Sequence, residues 1–182
     1  MRTKRRASTL LLLLTFAVLS SGCAKNSLSE RDIRREQFRS NAESKRRELS
    51  IVAGSYQGVL IQRSNPADGN PLEQDVALDI QIKDIPRQID GDIDPILTPI
   101  LTGYLKLVVG AGIGEYLGFG VEKAEYDPKR FQLDLVCRNL RSEQIILSLS
   151  VAADSLSGTW TSPEASVSGE AKFERQRDLE GQ

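Results

Sequence analysis

Val76-Ala-Leu-Asp-Ile-Gln-Ile-Lys83 alternates apolar residues with small or polar ones. Successive side chains on a strand point to opposite faces, so this spacing predicts a strand with one buried face. The same period recurs downstream. Leu101, Gly103, Leu105 and Leu107 alternate with Thr102, Tyr104 and Lys106. Phe131, Leu133 and Leu135 alternate with Gln132 and Asp134. Ile145, Leu147, Leu149 and Val151 form a fourth run, and Val167, Gly169, Ala171 and Phe173 a fifth. Weaker runs cover 55–63, 116–126 and 155–161. Eight strands are therefore expected, at 54–63, 74–84, 100–109, 115–126, 130–137, 143–152, 155–162 and 166–175.

Turn residues separate most of them: Asn65 to Pro71, Gly110-Ala-Gly-Ile-Gly114, Asp127-Pro128, Asn139, Asp154 and Ser162-Pro163. Short connections favour antiparallel hairpins between successive strands. The expected fold is mainly β: an eight-stranded antiparallel up-and-down barrel or a flattened β-sandwich, preceded by one N-terminal helix. Gly103, Gly118, Gly120, Gly158 and Gly169 fall within strands, where a barrel needs sharp bends. The longest irregular connection is expected at 84–99, which holds Pro86, Pro95, Pro99 and four aspartates.

Upstream, the period changes. No Pro or Gly occurs from Ala24 to Ala53, and Gly54 is a plausible stop. Ser27-Leu-Ser-Glu30 fits a capping box, and Glu30–Arg34 and Glu43–Arg47 are favourable i,i+4 pairs. A charged helix is expected at about residues 28–50, with Phe38, Ala42 and Leu49 on one narrow stripe. It would be either a spacer docking Phe38 and Leu49 on the β body or a basic arm lying on anionic head groups.

The first residues carry the address. Arg2, Lys4, Arg5 and Arg6 precede an apolar stretch, Leu10 to Leu19, and then small residues and Cys23. This is the pattern of a secretory signal, too short to span a bilayer. Leu19-Ser-Ser-Gly-Cys23 resembles the bacterial lipobox, with Ser20 where leucine is most usual. The resemblance implies cleavage before Cys23 and acylation, palmitate included, of its thiol and new amine. Ala24 follows, not Asp, which by resemblance to enterobacterial lipoproteins implies an outer-membrane anchor on the periplasmic face. The expected organisation is a signal peptide at 1–22, a lipidated tether and helix at 23–52, a β-barrel domain at 53–176 and a polar tail at 177–182.

A second resemblance concerns the body. Gly54-Ser-Tyr56 after a helix, Leu156-Ser-Gly-Thr-Trp160, and Gly169-Glu-Ala-Lys-Phe173 with Arg175 beyond look like the Gly-x-aromatic strands of calycin-type barrels, the lipocalins and avidins. Lipocalins prefer Trp where Tyr56 stands. The resemblance implies a barrel able to carry a small lipophilic ligand.

Composition narrows the chemistry. The chain has no histidine, which removes the usual general base and most zinc sites. Cys137 is the one cysteine left once Cys23 is acylated, and it closes an alternating run, so it reads as a buried thiol. Residues 49–182 carry twelve basic and twenty acidic side chains, a charge of −8, which disfavours nucleic acid. Asp90-Gly-Asp-Ile-Asp94 resembles the start of an EF-hand loop, but Pro95 and Leu101 stand at its glycine and glutamate positions, so no metal is expected. Gly110-Ala-Gly112 lacks the third glycine of a dinucleotide loop, and no cofactor is expected. Carboxylate pairs such as Glu122 and Glu125, or Glu164 and Glu170, are read as chance neighbours in an acidic body.

The functional expectation is a non-enzymatic, membrane-anchored envelope lipoprotein whose body interacts with an envelope protein or supports the envelope. The alternative is a carrier of a small apolar ligand. Cys23 is the expected lipidation site, and no catalytic residue is expected.

Overall fold

The structure is a computed structural model that describes residues 29–63, 71–88, 95–108 and 116–176. The expected signal peptide at 1–22, Cys23, Ser27, the Asp90–Asp94 run, the expected turn at 110–114 and the expected tail at 177–182 lie outside the described residues. The chain divides into two compact units, one up to Glu36 and one from Gln37 onward.

Helix α1 runs Glu30–Ser50. Its cap is Ser29, not the expected Ser27. The Ser29 hydroxyl accepts from the Asp32 amide at 3.3 Å, and the Asp32 carboxylate accepts from the Ser29 amide at 3.2 Å. Aspartate at the third helical position closes this box as glutamate would. Starting there also keeps Glu30 and Asp32 in the first turn, where the helix dipole favours them.

Eight strands follow in the expected order: β1 (Gly54–Gln62), β2 (Leu72–Arg87), β3 (Ile96–Val108), β4 (Tyr116–Asp127), β5 (Gln132–Arg138), β6 (Gln144–Val151), β7 (Ser155–Ser162) and β8 (Val167–Arg175). Each pairs antiparallel with the next, and β1 pairs with β8 from Tyr56↔Arg175 to Gln62↔Gly169. The result is a closed up-and-down barrel, not a sandwich.

Alternation decides what fills it. Leu60, Leu78, Leu105, Leu133, Leu135, Leu147, Leu149, Leu156 and Phe173 are all buried and belong to one apolar cluster. An eight-stranded barrel is just wide enough for side chains to fill. The outward positions carry Asp79, Lys106, Glu125, Lys172 and Glu174, each exposed or half-buried. This polarity is opposite to that of a membrane-spanning barrel, which is apolar outside.

Two expectations need correction. The connection expected at 84–99 is strand at both its ends: Asp84↔Pro99, Ile85↔Thr98, Pro86↔Leu97 and Arg87↔Ile96 extend the β2–β3 ladder. The prolines are tolerated for two reasons. Their pairs lie two residues apart in register, so both can occupy the non-hydrogen-bonded class that needs no N–H toward the partner. Moreover, β1 pairs with β2 only as far as Ile80, and β4 pairs with β3 only from Tyr104 onward, so this ribbon overhangs with unpaired outer edges.

The second correction concerns glycines. A Cβ on Gly103 would lie 1.9 Å from the Asp79 carbonyl oxygen, so close backbone approach requires glycine there. Gly118 and Gly120 are different: a Cβ on Gly118 would meet nothing within 4 Å, and on Gly120 nothing nearer than 3.9 Å. The barrel's bends do not require these two.

The C-terminal part of the helix packs against the barrel. Leu49 and Val52 are buried in the core cluster. Ala42 is half-buried, and Phe38, 43 % exposed, lines a hollow with Ala42, Ile96 and Thr98. Arg46 Nη2 donates to both carboxylate oxygens of Asp84 at 2.5 Å, tying the helix to the ribbon. The pair is half-exposed and contributes little net stability, so Leu49 and Val52 supply most of the docking.

The two kinds of glycine give a paired expectation. Gly103→Ala should destabilise by about 1–3 kcal/mol through overpacking against backbone. Gly118→Ala should stay within about 0.5 kcal/mol of the parent. Urea unfolding of both variants checks this; equal losses would show that the close approach at Gly103 does not matter.

Candidate functional site

Cys23, the residue to which the sequence assigns chemistry, lies outside the described residues. The structure therefore speaks to the body, where three places hold reactive or unusual groups.

The first is the junction of helix, first strand and last strand. Tyr56, on β1, is buried, and its hydroxyl donates to the Val52 carbonyl at 3.0 Å. Arg175, at the end of β8, donates through Nη2 to the Ile51 carbonyl at 2.5 Å and to the Tyr56 hydroxyl oxygen at 2.6 Å. Its guanidinium lies 5.2 Å from the Tyr56 ring centroid, within cation–π range. The arrangement gives partners to the carbonyls of the two residues that follow the helix. It is a closure, not a reaction centre.

The second is Cys137 on β5. It is free, fully buried and surrounded by apolar side chains. Burial pushes its thiol up to about 12, so the nucleophilic thiolate is absent near neutrality. The expected buried thiol is what the structure contains.

The third was not legible in the sequence. The β3–β4 ladder runs only from Tyr104↔Gly120 to Val108↔Tyr116. Beyond it the regular β3–β4 pairing stops, while β3 continues with β2 and β4 with β5. The cause lies in β4: opposite β5, Val121 pairs with Cys137 and Lys123 with Val136, so Glu122 is an extra residue that bends the strand. Leu49 and Lys45 of the helix lie at the parting, where a hollow of about 500 Å³ opens between them and the strands. Leu101, Ala124 and Tyr126 give it an apolar floor, and Glu125, Asp127 and Asp134 an acidic rim. Tyr126 is 6 % exposed, and its hydroxyl has no hydrogen-bond partner among the described residues. Desolvation, then the charges of Asp127 and Glu48, raise its pKa above the usual tyrosine value.

Each carboxylate of the two pairs has a partner of its own. Glu122 bridges to Arg138 at 2.9 Å, and Glu125 to Lys123 at 3.0 Å. Glu164 accepts from the Gln144 amide at 3.1 Å, while Glu170 lies 3.6 Å from Lys172. Among the described residues no group of three or more Cys, Asp or Glu side chains is placed to hold a metal ion. Comparison of the chain with protein-family models, with curated proteins and with solved structures returned no match.

Cys137 sets a pH dependence with a definite sign. Its folded pKa lies above the ordinary value of 9.0. The unfolded chain therefore loses this proton first as pH rises, which favours unfolding. The contribution is complete below about pH 9 and is lost progressively toward about pH 12. Urea midpoints for the parent should fall across that window more steeply than for Cys137→Ala; parallel curves would show that the thiol titrates normally.

Proposed function

We propose that this chain is a lipid-anchored protein of a bacterial cell envelope, held by acylated Cys23, whose barrel is a non-enzymatic body for interaction with another envelope protein. The observation that carries the reading is the Leu19–Cys23 lipobox behind a basic, apolar leader. Cys23 stands six positions before Ser29, where the helix is capped, so the helix and tether would join the anchor to the barrel. Two or more acyl chains on one residue suffice for stable anchoring, because each buried CH₂ contributes about 0.8 kcal/mol. Ala24 favours the outer membrane, and the charged outer face of the barrel suits an aqueous compartment such as the periplasm.

The interaction reading is supported by the absence of histidine from the chain and by the burial of Cys137. The alternative, a carrier of a small lipophilic ligand, rests on the calycin-type resemblance alone. The inward side chains pack against one another as a single apolar core.

Expression in a bacterial host with radiolabelled palmitate tests the anchor. The parent should incorporate label and sediment with outer membranes. Cys23→Ala should incorporate none and appear in the soluble or unprocessed fraction. A processed Cys23→Ala protein that still sediments with membranes would remove the anchor from the account.

A further inference from the structure

The parting of β3 and β4 leaves two facing strand edges inside an otherwise closed ladder. Among the described residues, β4 from Val121 to Asp127 has a ladder partner only on its β5 side. A row of amides and carbonyls without a strand beside it is a template for another strand. We propose that this seam is a docking site for an extended, basic polypeptide segment of another protein, added as a strand along the free edge of β4. The proposal rests on the reading of the barrel as an interaction body and names the place and the chemistry of the partner.

Several independent features converge on that occupant. The part of β4 that lines the hollow, residues 124–127, spans roughly 13 Å. The hollow beside it, about 500 Å³, leaves room between the edge and the helix. It is lined from both faces of the strands: Leu101 and Tyr126 belong to the inward set, Ile100 and Glu125 to the outward set. A strand entering there would find apolar contact on one side and charge on the other. Within the hollow the buried Tyr126 hydroxyl lacks a partner, and a carbonyl of an added strand is the acceptor it needs.

Charge selects among peptides. Three carboxylates, Glu125, Asp127 and Asp134, line the hollow against one amine, Lys45. Lys45 is itself paired with Glu48 at 3.6 Å. Lys123 and Arg130 partly offset Glu125 and Asp127, but Asp134 accepts only from the neutral Gln132 and Ser148. The body from residue 49 onward carries −8, so the long-range field points the same way.

The test uses the full mature chain and a blocked octapeptide of alternating lysine and valine bearing a fluorophore. Anisotropy should show saturable binding, with protection from hydrogen exchange gained at residues 121–127. An octapeptide of alternating glutamate and valine should bind at least about tenfold more weakly. So should the basic peptide N-methylated at alternate amides, because methylation removes the ladder donors. Tyr126→Phe should weaken binding several-fold without loss of packing. Ile100→Trp, at a more exposed position beside the hollow, should block it even if the tyrosine variant folds poorly. No saturable binding of the basic peptide up to about 1 mM would overturn the proposal. Undiminished binding of the methylated peptide, or protection confined to other strands, would overturn it as well. Palmitate labelling of the same preparations separates the two ideas: a labelled, sedimenting protein that fails to bind loses the seam and keeps the anchor.

Discussion

The structure depends on one meeting of charges and rings, where Arg175 at the end of the last strand reaches Tyr56 near the start of the first. Eight paired strands without this closure would be an open sheet with two long edges. The β1–β8 ladder begins at Tyr56↔Arg175 and continues to Gln62↔Gly169. At its first rung the guanidinium stacks on the tyrosine ring, and both side chains bind the carbonyls of Ile51 and Val52. Those carbonyls follow directly on the helix, so one cluster fixes the helix terminus, the first strand and the last strand together. Arg175 is half-buried, and its Nη2 is bonded to a carbonyl and a phenol oxygen, while its Nε has no hydrogen-bond partner among the described residues.

Closure at β1–β8 contrasts with the loosened pairing at β3–β4. The bulge at Glu122 turns β4 away, while the β2–β3 ribbon runs on past the barrel's end to Arg87 and Ile96. The two strands cannot stay paired when one bends and the other extends. The helix limits the consequence. Leu49 completes the core where ladder bonds are missing, and Arg46 holds the overhanging ribbon through Asp84. The helix thus has a structural task that its charged, weakly amphipathic sequence does not advertise: one buried leucine near its C-terminus matters more than the length of its stripe.

This bears on what a single sequence reveals. The eight strands were readable because each buries one face against a common core, and a period of two is the direct imprint of that burial. Ladder ends were less readable. Pro86 and Pro99 look like strand breakers, and they are tolerated because the ribbon leaves the barrel and its outer edges go unpaired. Gly103 and Gly118 look alike in sequence, yet one faces a backbone oxygen and the other open space. The seam left no local trace, since a bulge depends on how two distant strands register. Tyr126 could be read as a core aromatic, but its orphan hydroxyl could not. Cys23 is the reverse case: the expectation of its acylation comes from the letters around it, and it lies outside the described residues.

The orphan hydroxyl sharpens the meaning of the open seam. Leaving a buried donor unmade costs about 1–3 kcal/mol, and phenylalanine at position 126 would fill the same space without that cost. Desolvation, then the charges of Asp127 and Glu48, raise its pKa, and a tyrosine is already protonated across the neutral range, so the group is a donor there. On the proposed reading, this buried donor at the end of the β3–β4 pairing would meet an acceptor that arrives from outside. The adjoining edge supplies the amides and carbonyls that would align such an acceptor, and the acidic rim biases which chains approach it. Stability alone would favour a shut seam and a phenyl ring. The combination of bulge, gap and phenol is accounted for if the barrel is built to be completed by a partner's strand.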